Sequence, residues 1–125
     1  MKTLIKVKPF FIDERGSMTH LLPKNTEITG ALLITCKKGS VRANHYHKKD
    51  QHFAYMLKGS MKYTYRPLKG KRKQSVIARQ GDVVYTPPNV LHRMEFLTDA
   101  VFLALTTEKR DRKAYEADTV RIDSL

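Results

Sequence analysis

The stretch Gly39-Ser40-Val41-Arg42-Ala43-Asn44-His45-Tyr46-His47-Lys48-Lys49-Asp50-Gln51-His52-Phe53-Ala54-Tyr55-Met56-Leu57-Lys58-Gly59 decides how this chain is read. Two β-rich runs, Val41–His47 and His52–Leu57, flank the polar turn Lys48-Lys49-Asp50, and a glycine closes each end. Side chains two apart on a strand share a face, so His45 and His47 project their imidazoles together. The next strand brings His52 back toward the same place.

The same rhythm continues outward in both directions. Expected strands are Leu4–Lys8, Ser17–Leu22, Gly30–Lys37, Met61–Arg66, Ser75–Ala78, Asp82–Thr86, His92–Phe96 and Ala100–Thr106. Turn signals stand between them at Arg15-Gly16, Lys38-Gly39, Lys58-Gly59, Lys69-Gly70, Gln80-Gly81, Pro87-Pro88-Asn89 and Thr98-Asp99, the pattern of an all-β sandwich or barrel. Only Glu108–Glu116, rich in Lys, Arg, Glu and Ala, reads as a helix. With 125 residues, residues 1–125 are expected to form a single domain around one core.

Ala31–Cys36 and Val101–Leu105 are apolar on both alternating faces, which predicts burial on both sides of the sheet. One face can line a barrel; a second copy of the chain is the economical cover for the other, so a homodimer is expected. Leu4–Lys8 is expected to pair onto the partner's sheet edge. Lone Cys36 excludes an internal disulfide and reads as a packed thiol, and with no signal-peptide core or apolar span the cytoplasm is the expected location, with no membrane partner.

Twenty-four Lys and Arg against twelve Asp and Glu give a net charge of +12, a field that favours anionic small molecules. The basic run Lys69-Gly70-Lys71-Arg72-Lys73 lacks interleaved aromatics and reads as a solvated hairpin tip, so nucleic acid is not the expected partner.

With His92 added from a second cluster, four of the five histidines gather in two places. Gly39, His45, His47, His52 and Gly59 resemble the first motif of the cupin family, glycine, five residues, His-x-His, four residues, an acid, six residues, glycine; His52 stands where the acid is usual. Gly81, Pro87, Asn89 and His92 resemble the second motif, with Asn89 in place of a glycine and Phe96 in place of an asparagine. The resemblance implies a cupin jelly-roll barrel. It also implies His45, His47, His52 and His92 as ligands of one divalent transition metal; imidazole suits Zn, Fe, Ni, Co or Cu. Four neutral ligands leave the +2 charge uncompensated and favour an anionic or enolisable substrate. His20 reads as an isolated histidine without a task.

A narrower resemblance is carried by Phe11-Ile12-Asp13-Glu14-Arg15-Gly16-Ser17 and by Val41-Arg42-Ala43-Asn44-His45-Tyr46-His47-Lys48. These are similar to motifs of cupins acting on nucleotide-linked deoxyketosugars, the sugar 3,4-ketoisomerases and the 4-keto-deoxysugar 3,5-epimerases. The ketoisomerase pattern, Arg-Gly-x-His-Ala-His-Lys, is met at Arg42, His45, His47 and Lys48 and departed from at Ala43 and Tyr46. That likeness implies His47 as a proton shuttle with His45 as its partner, and no metal, so two mechanisms claim the same pair.

A nucleotide sugar carries a diphosphate, for which Arg42 and Arg15 are the candidate guanidinium contacts. For Arg15 a surface salt bridge is the competing reading. Tyr63 and Tyr65, two apart on one face with Met61, are candidates to stack on a base or sugar, although aromatic stripes of strand period favour core packing. The expected function is an isomerase or epimerase acting on a nucleotide-linked 4-keto-6-deoxy sugar in polysaccharide biosynthesis. The alternatives are a metal-dependent cupin enzyme of dioxygenase or lyase type using the four histidines, and a non-catalytic sugar- or anion-binding cupin.

Overall fold

A computed structural model describes residues 1–125. The elements in chain order are β1 (Leu4–Lys6), β2 (Phe11–Asp13), β3 (Gly16–Met18), β4 (Gly30–Cys36), β5 (Val41–His47), β6 (His52–Lys58), β7 (Met61–Pro67), β8 (Gln74–Ala78), β9 (Asp82–Thr86), β10 (Val90–Phe96), β11 (Ala100–Thr106), α1 (Arg112–Asp118) and β12 (Thr119–Arg121). Two five-stranded antiparallel sheets result, in the orders β1-β9-β6-β11-β4 and β12-β5-β10-β7-β8, with β2 and β3 forming a separate hairpin. This is the jelly-roll arrangement expected from the sequence, drawn as two sheets rather than a closed barrel.

Strand alternation places the core between the sheets. Met56, Met61, Tyr63, Phe96, Phe102 and Val84 are almost fully buried there, while Leu57 and Lys62, next to them on the same strands, are exposed. Ala54 and Ala104 are also buried; at these two positions on β6 and β11 the core has small side chains.

Three differences from the sequence reading have physical causes. β1 ends at Lys6 rather than Lys8 and takes the edge of its own sheet, with Leu4 opposite Val84 and the Lys6 ammonium on the Asp82 carboxylate at 2.8 Å. The run expected as Ser17–Leu22 shortens to Gly16–Met18, because it pairs only with the three residues of β2. The helix starts later than expected, at Arg112, where the Asp111 carboxylate caps the Ala114 N–H at 3.0 Å.

One irregularity positions the site. Opposite β10, the register steps from His45 to Ala43, so Asn44 is an extra residue in β5, a β-bulge. Ala43 and Asn44 both have positive φ, 72° and 57°. The bulge re-aims His45, and it anchors the C-terminal segment: the Asn44 carbonyl accepts from the Ile122 N–H at 2.9 Å and its side-chain oxygen accepts from the Leu125 N–H at 3.2 Å. With β12 paired to β5, Thr119 lies opposite His47 and Arg121 opposite His45.

Candidate functional site

His45 and His47 on β5, His52 on β6 and His92 on β10 are all buried and line one cavity of about 130 Å3. The rings of His45 and His47 lie 4.6 Å apart, as do those of His45 and His92; His52 is 5.3 Å from His92 and 5.6 Å from His47. Ile34, Met94, Phe102 and Ala104 supply apolar wall. Arg42, Ala43, Arg110 and Tyr115 complete the lining, with Tyr115 contributed by α1.

The hydrogen bonds fix which nitrogen of three imidazoles carries the lone pair. The Thr119 hydroxyl gives its one proton to the Tyr115 carbonyl, at 2.6 Å. Its contact with His47 Nδ1, at 3.2 Å, is therefore one in which His47 Nδ1–H donates and the hydroxyl oxygen accepts. The neutral ring then carries its lone pair on Nε2, a buried atom with no hydrogen-bond partner. His92 Nδ1–H donates to the Val90 carbonyl at 3.0 Å, and His52 Nδ1–H donates to the Asp50 carboxylate at 3.2 Å. Each leaves an Nε2 lone pair.

Burial makes these rings hard to charge. It is the largest influence on His45, whose pKa falls to about 3 with help from the neighbouring His47 and His52 and from Arg110 and Arg121. Burial likewise lowers His47, to about 4, against the raising effect of Asp50 and Asp118. His52 and His92 are pushed the same way by burial. At neutral pH the site is four neutral imidazoles, acceptors of a proton or a metal.

Behind them stand two carboxylates. Asp50 accepts from His52, from Arg110 Nη2 at 3.2 Å and from the Glu108 N–H at 3.2 Å. Burial pushes its pKa up, but these hydrogen bonds and charges outweigh burial and hold it ionised, below the usual carboxylate range. Asp118 accepts from the Lys49 and Asp50 N–H groups, at 2.8 and 3.1 Å, and lies 3.8 Å from His47 Nδ1.

The residues singled out from sequence divide clearly. All four histidines and Arg42 line the cavity; Arg42 is held by Cys36 Sγ and the Thr35 carbonyl, both at 3.2 Å. Arg15 sits at the tip of the β2–β3 hairpin, 80% exposed, in the surface salt bridge to Asp13 that is its competing reading, and does not line the cavity of this chain. An aspartate two residues away is the nearer anion. Tyr63 and Tyr65 are also absent from the lining. Tyr63 is fully buried in the core, stacked behind His92 with ring centroids 6.0 Å apart and its hydroxyl against Thr86, and Tyr65 donates its hydroxyl to Gln74. His20 stacks on Phe10 outside the site.

Sequence reasoning passed over Asp50, Arg110, Tyr115, Asp118 and Thr119. An acid two residues before His52 was a signal for the first. The others come from beyond β11: the contact with Asp50 brings in Arg110, and the pairing of β12 with β5 brings in the segment of Tyr115, Asp118 and Thr119.

For a metal, His45, His47 and His92 offer ligand atoms within 4.8 Å of one another, and His47, Asp50 and His52 form a second such group. The first trio fits a divalent transition ion. His52 belongs to the other group, its Nδ1 already engaged by Asp50. A larger open groove of about 490 Å3 runs beside α1, where Lys48, Lys49 and Lys109 are interleaved with Glu108 and Asp118.

A family model described as Cupin domain matches residues 32–107. No curated protein sequence matches the chain. Among solved structures, the sugar 3,4-ketoisomerase QdtA of Thermoanaerobacterium thermosaccharolyticum in complex with TDP is 27% identical, with a TM-score of 0.76 over 96% of this chain and 87% of that one. A histidine-to-asparagine mutant of QdtA in complex with TDP-4-keto-6-deoxyglucose is 26% identical, with a TM-score of 0.75 over 95% and 86%. The dTDP-4-dehydrorhamnose 3,5-epimerase of Sulfolobus tokodaii, 17% identical with a TM-score of 0.75 over 95% and 75%, shares the fold.

Proposed function

The chain belongs to the cupin domain family, and from that premise we propose that it is a sugar-nucleotide isomerase acting on a nucleotide-linked 4-keto-6-deoxyhexose. The likeness to QdtA supports the substrate class. The observation that carries the chemistry is the fixed tautomer of His47, which leaves a buried, unpartnered Nε2 lone pair at the cavity.

Moving a carbonyl from C4 to C3 needs a base for the acidified C3–H, stabilisation of the enediolate, and return of the proton to C4. His47 Nε2 takes the proton. The imidazolium so formed is compensated by Asp118 and Asp50, both of which favour its charge. His45, 4.6 Å away ring to ring, is the partner that hydrogen-bonds the substrate's oxygen atoms. A cavity of about 130 Å3 holds only the reacting edge of a hexose, well under the roughly 300–1,000 Å3 of ligand pockets. The nucleotide therefore extends through the mouth, where Arg42 is the guanidinium for a phosphate oxygen. The net charge of +12 draws the diphosphate inward.

The test is to incubate the protein with TDP-4-keto-6-deoxyglucose in D2O. The 3-keto isomer should accumulate, carrying deuterium at the new C4–H position to the extent that the His47 imidazolium exchanges its proton with solvent before returning it, and His47→Asn should lose at least about a thousandfold in kcat. A folded wild type that neither turns over this nucleotide sugar nor binds TDP would overturn the assignment.

A second reading is favoured by the grouping of His45, His47 and His92. These three would hold a divalent transition metal, which would polarise a carbonyl as a Lewis acid. Stoichiometric metal in the purified protein, lost on His45→Ala, is its signature.

The functional unit is proposed to be a homodimer. The outer face of the β4 sheet leaves Leu33 67% exposed beside the half-buried Val101, Leu103 and Leu105 of β11. The β2–β3 hairpin presents Phe10, Phe11, Ile12 and Met18 to solvent. A second copy of this chain would cover both. No helix is long and apolar enough to cross a membrane.

A further inference from the structure

Among the buried side-chain nitrogens without a hydrogen-bond partner, two belong to residues lining the same cavity: His47 Nε2 and Arg110 Nε. One is a lone pair and the other an N–H. Their chemistry is complementary, since proton abstraction next to a carbonyl needs a base for the proton and a cation for the oxygen that becomes negative. A buried guanidinium N–H left unmade is costly unless something arrives to use it.

Arg110 is built to hold still. Its Nη2 donates to Asp50 Oδ2 at 3.2 Å, the carboxylate is itself buried, and the guanidinium carbon lies 4.8 Å from the centre of the Tyr115 ring, a cation–π contact. Tyr115 in turn lies 5.7 Å from His47 and 6.3 Å from His45, ring to ring. Its carbonyl receives the Thr119 proton that sets the His47 tautomer. The same short C-terminal segment thus fixes both the cation and the base.

We infer that Arg110 is the anion-stabilising group of this site, its guanidinium holding the oxygen that turns negative as His47 deprotonates the neighbouring carbon. The assignment rests on the isomerase reading and adds a residue to it. In the forward step the C3–H electron pair becomes the C3–C4 π bond, and the carbonyl π pair moves onto O4, which Arg110 holds as an anion. The proton resides on His47 Nε2. The O3–H proton then passes to O4, the O3 electrons reform a carbonyl at C3, and the imidazolium returns its proton to C4. Arg110 stays protonated throughout, and no co-reactant is needed. Asp50 acts through Arg110 and is a positioning residue.

Arg110→Lys keeps a charge for Asp50 and is the variant to measure first, with Arg110→Ala as the second. The lysine ammonium carries all its donors on one atom and cannot span Asp50 and the substrate oxygen as the planar guanidinium fork does, so kcat should fall about a hundredfold, in the range of a lost oxyanion donor. KM and the affinity for TDP should stay within about threefold, because Arg110 touches the reacting edge and not the diphosphate. Guanidinium ion added to Arg110→Ala should restore part of the rate. An arm independent of turnover uses acetohydroxamate, a planar enediolate mimic, on metal-stripped protein: wild type should bind it at least about tenfold more tightly than Arg110→Lys. Arg110→Lys retaining kcat within about threefold, or losing TDP affinity in parallel with rate, or binding acetohydroxamate as wild type does, would overturn the assignment. If wild type turns over no nucleotide sugar, the isomerase reading fails, and the hydroxamate arm alone decides whether Arg110 holds an anionic oxygen.

Discussion

Lowering the pH from about 7.5 to about 5 should destabilise this protein through its histidines before its carboxylates titrate. In the unfolded chain a histidine has a pKa near 6.5; folded, His45 is at about 3 and His47 at about 4. Their folded values are depressed, so between these limits the unfolded state binds more protons and stability falls as pH falls. The contribution is intact above about pH 6.5 and is lost progressively toward the folded values. At pH 5 the unfolded histidine is about 1.5 pH units below its pKa while the folded ring is still neutral. Each of the two therefore costs about 2 kcal/mol relative to pH 7.5, or about 4 kcal/mol together. His52 and His92 shift in the same direction and add to the loss. Against a total stability of roughly 5–15 kcal/mol this is a large fraction.

The assay is urea unfolding followed by far-ultraviolet circular dichroism at fixed protein concentration, since the chain has no tryptophan. Two protons give a slope of about 2.7 kcal/mol per pH unit near pH 5, the linkage value for a two-proton difference. His45→Asn with His47→Asn removes both titrating rings and should flatten the slope by that amount, whatever the double variant's absolute stability. A wild-type stability unchanged from pH 7.5 to 5, or a double variant with an undiminished slope, would refute the claim that these rings are buried and neutral.

Three further outcomes are expected. Ala43→Gly should raise stability by about 0.5–1 kcal/mol in the same unfolding assay, because alanine at φ 72° is strained where glycine is not, less glycine's larger unfolded-state entropy. Thr119→Val removes the acceptor that sets the His47 tautomer and should cost about 1–3 kcal/mol of stability and about tenfold in kcat with KM little changed, the size of effect seen for orienting partners of histidines; steady-state kinetics on the nucleotide sugar reads it. Leu33→Lys, on the exposed outer face of β4, should weaken self-association by about 10- to 100-fold, the equivalent of burying one leucine, as measured by sedimentation equilibrium.

Most of the architecture was legible because the long strands announce themselves by alternation or by apolar runs set between turn signals. Val41–His47, Asp82–Thr86 and Ala100–Thr106 form over the ranges expected from sequence. β2 and β12 were not legible, being three residues each, too short for periodicity to register. Tyr63 and Tyr65 lie ring to ring 5.6 Å apart, as their two-residue spacing predicts, but spacing says nothing about depth along a strand. Tyr63 lies in the core behind His92 and not at the cavity.

The two glycine positions of the family motifs filled here by other residues are informative for the same reason. Asn89 has φ 60° and Ala43 has φ 72°, so the backbone keeps the left-handed region that glycine serves even where the residue has changed. A motif reading that scores residue identity counts both as losses, whereas the conformation that aims His45 and closes the turn before His92 is retained. What no motif could supply is the contact between Thr119 and His47, 72 residues apart, or between Arg110 and Asp50, 60 apart. Those contacts decide which nitrogen of His47 is basic and where the cation stands. The histidines locate the site, and a C-terminal segment with no motif of its own sets its chemistry.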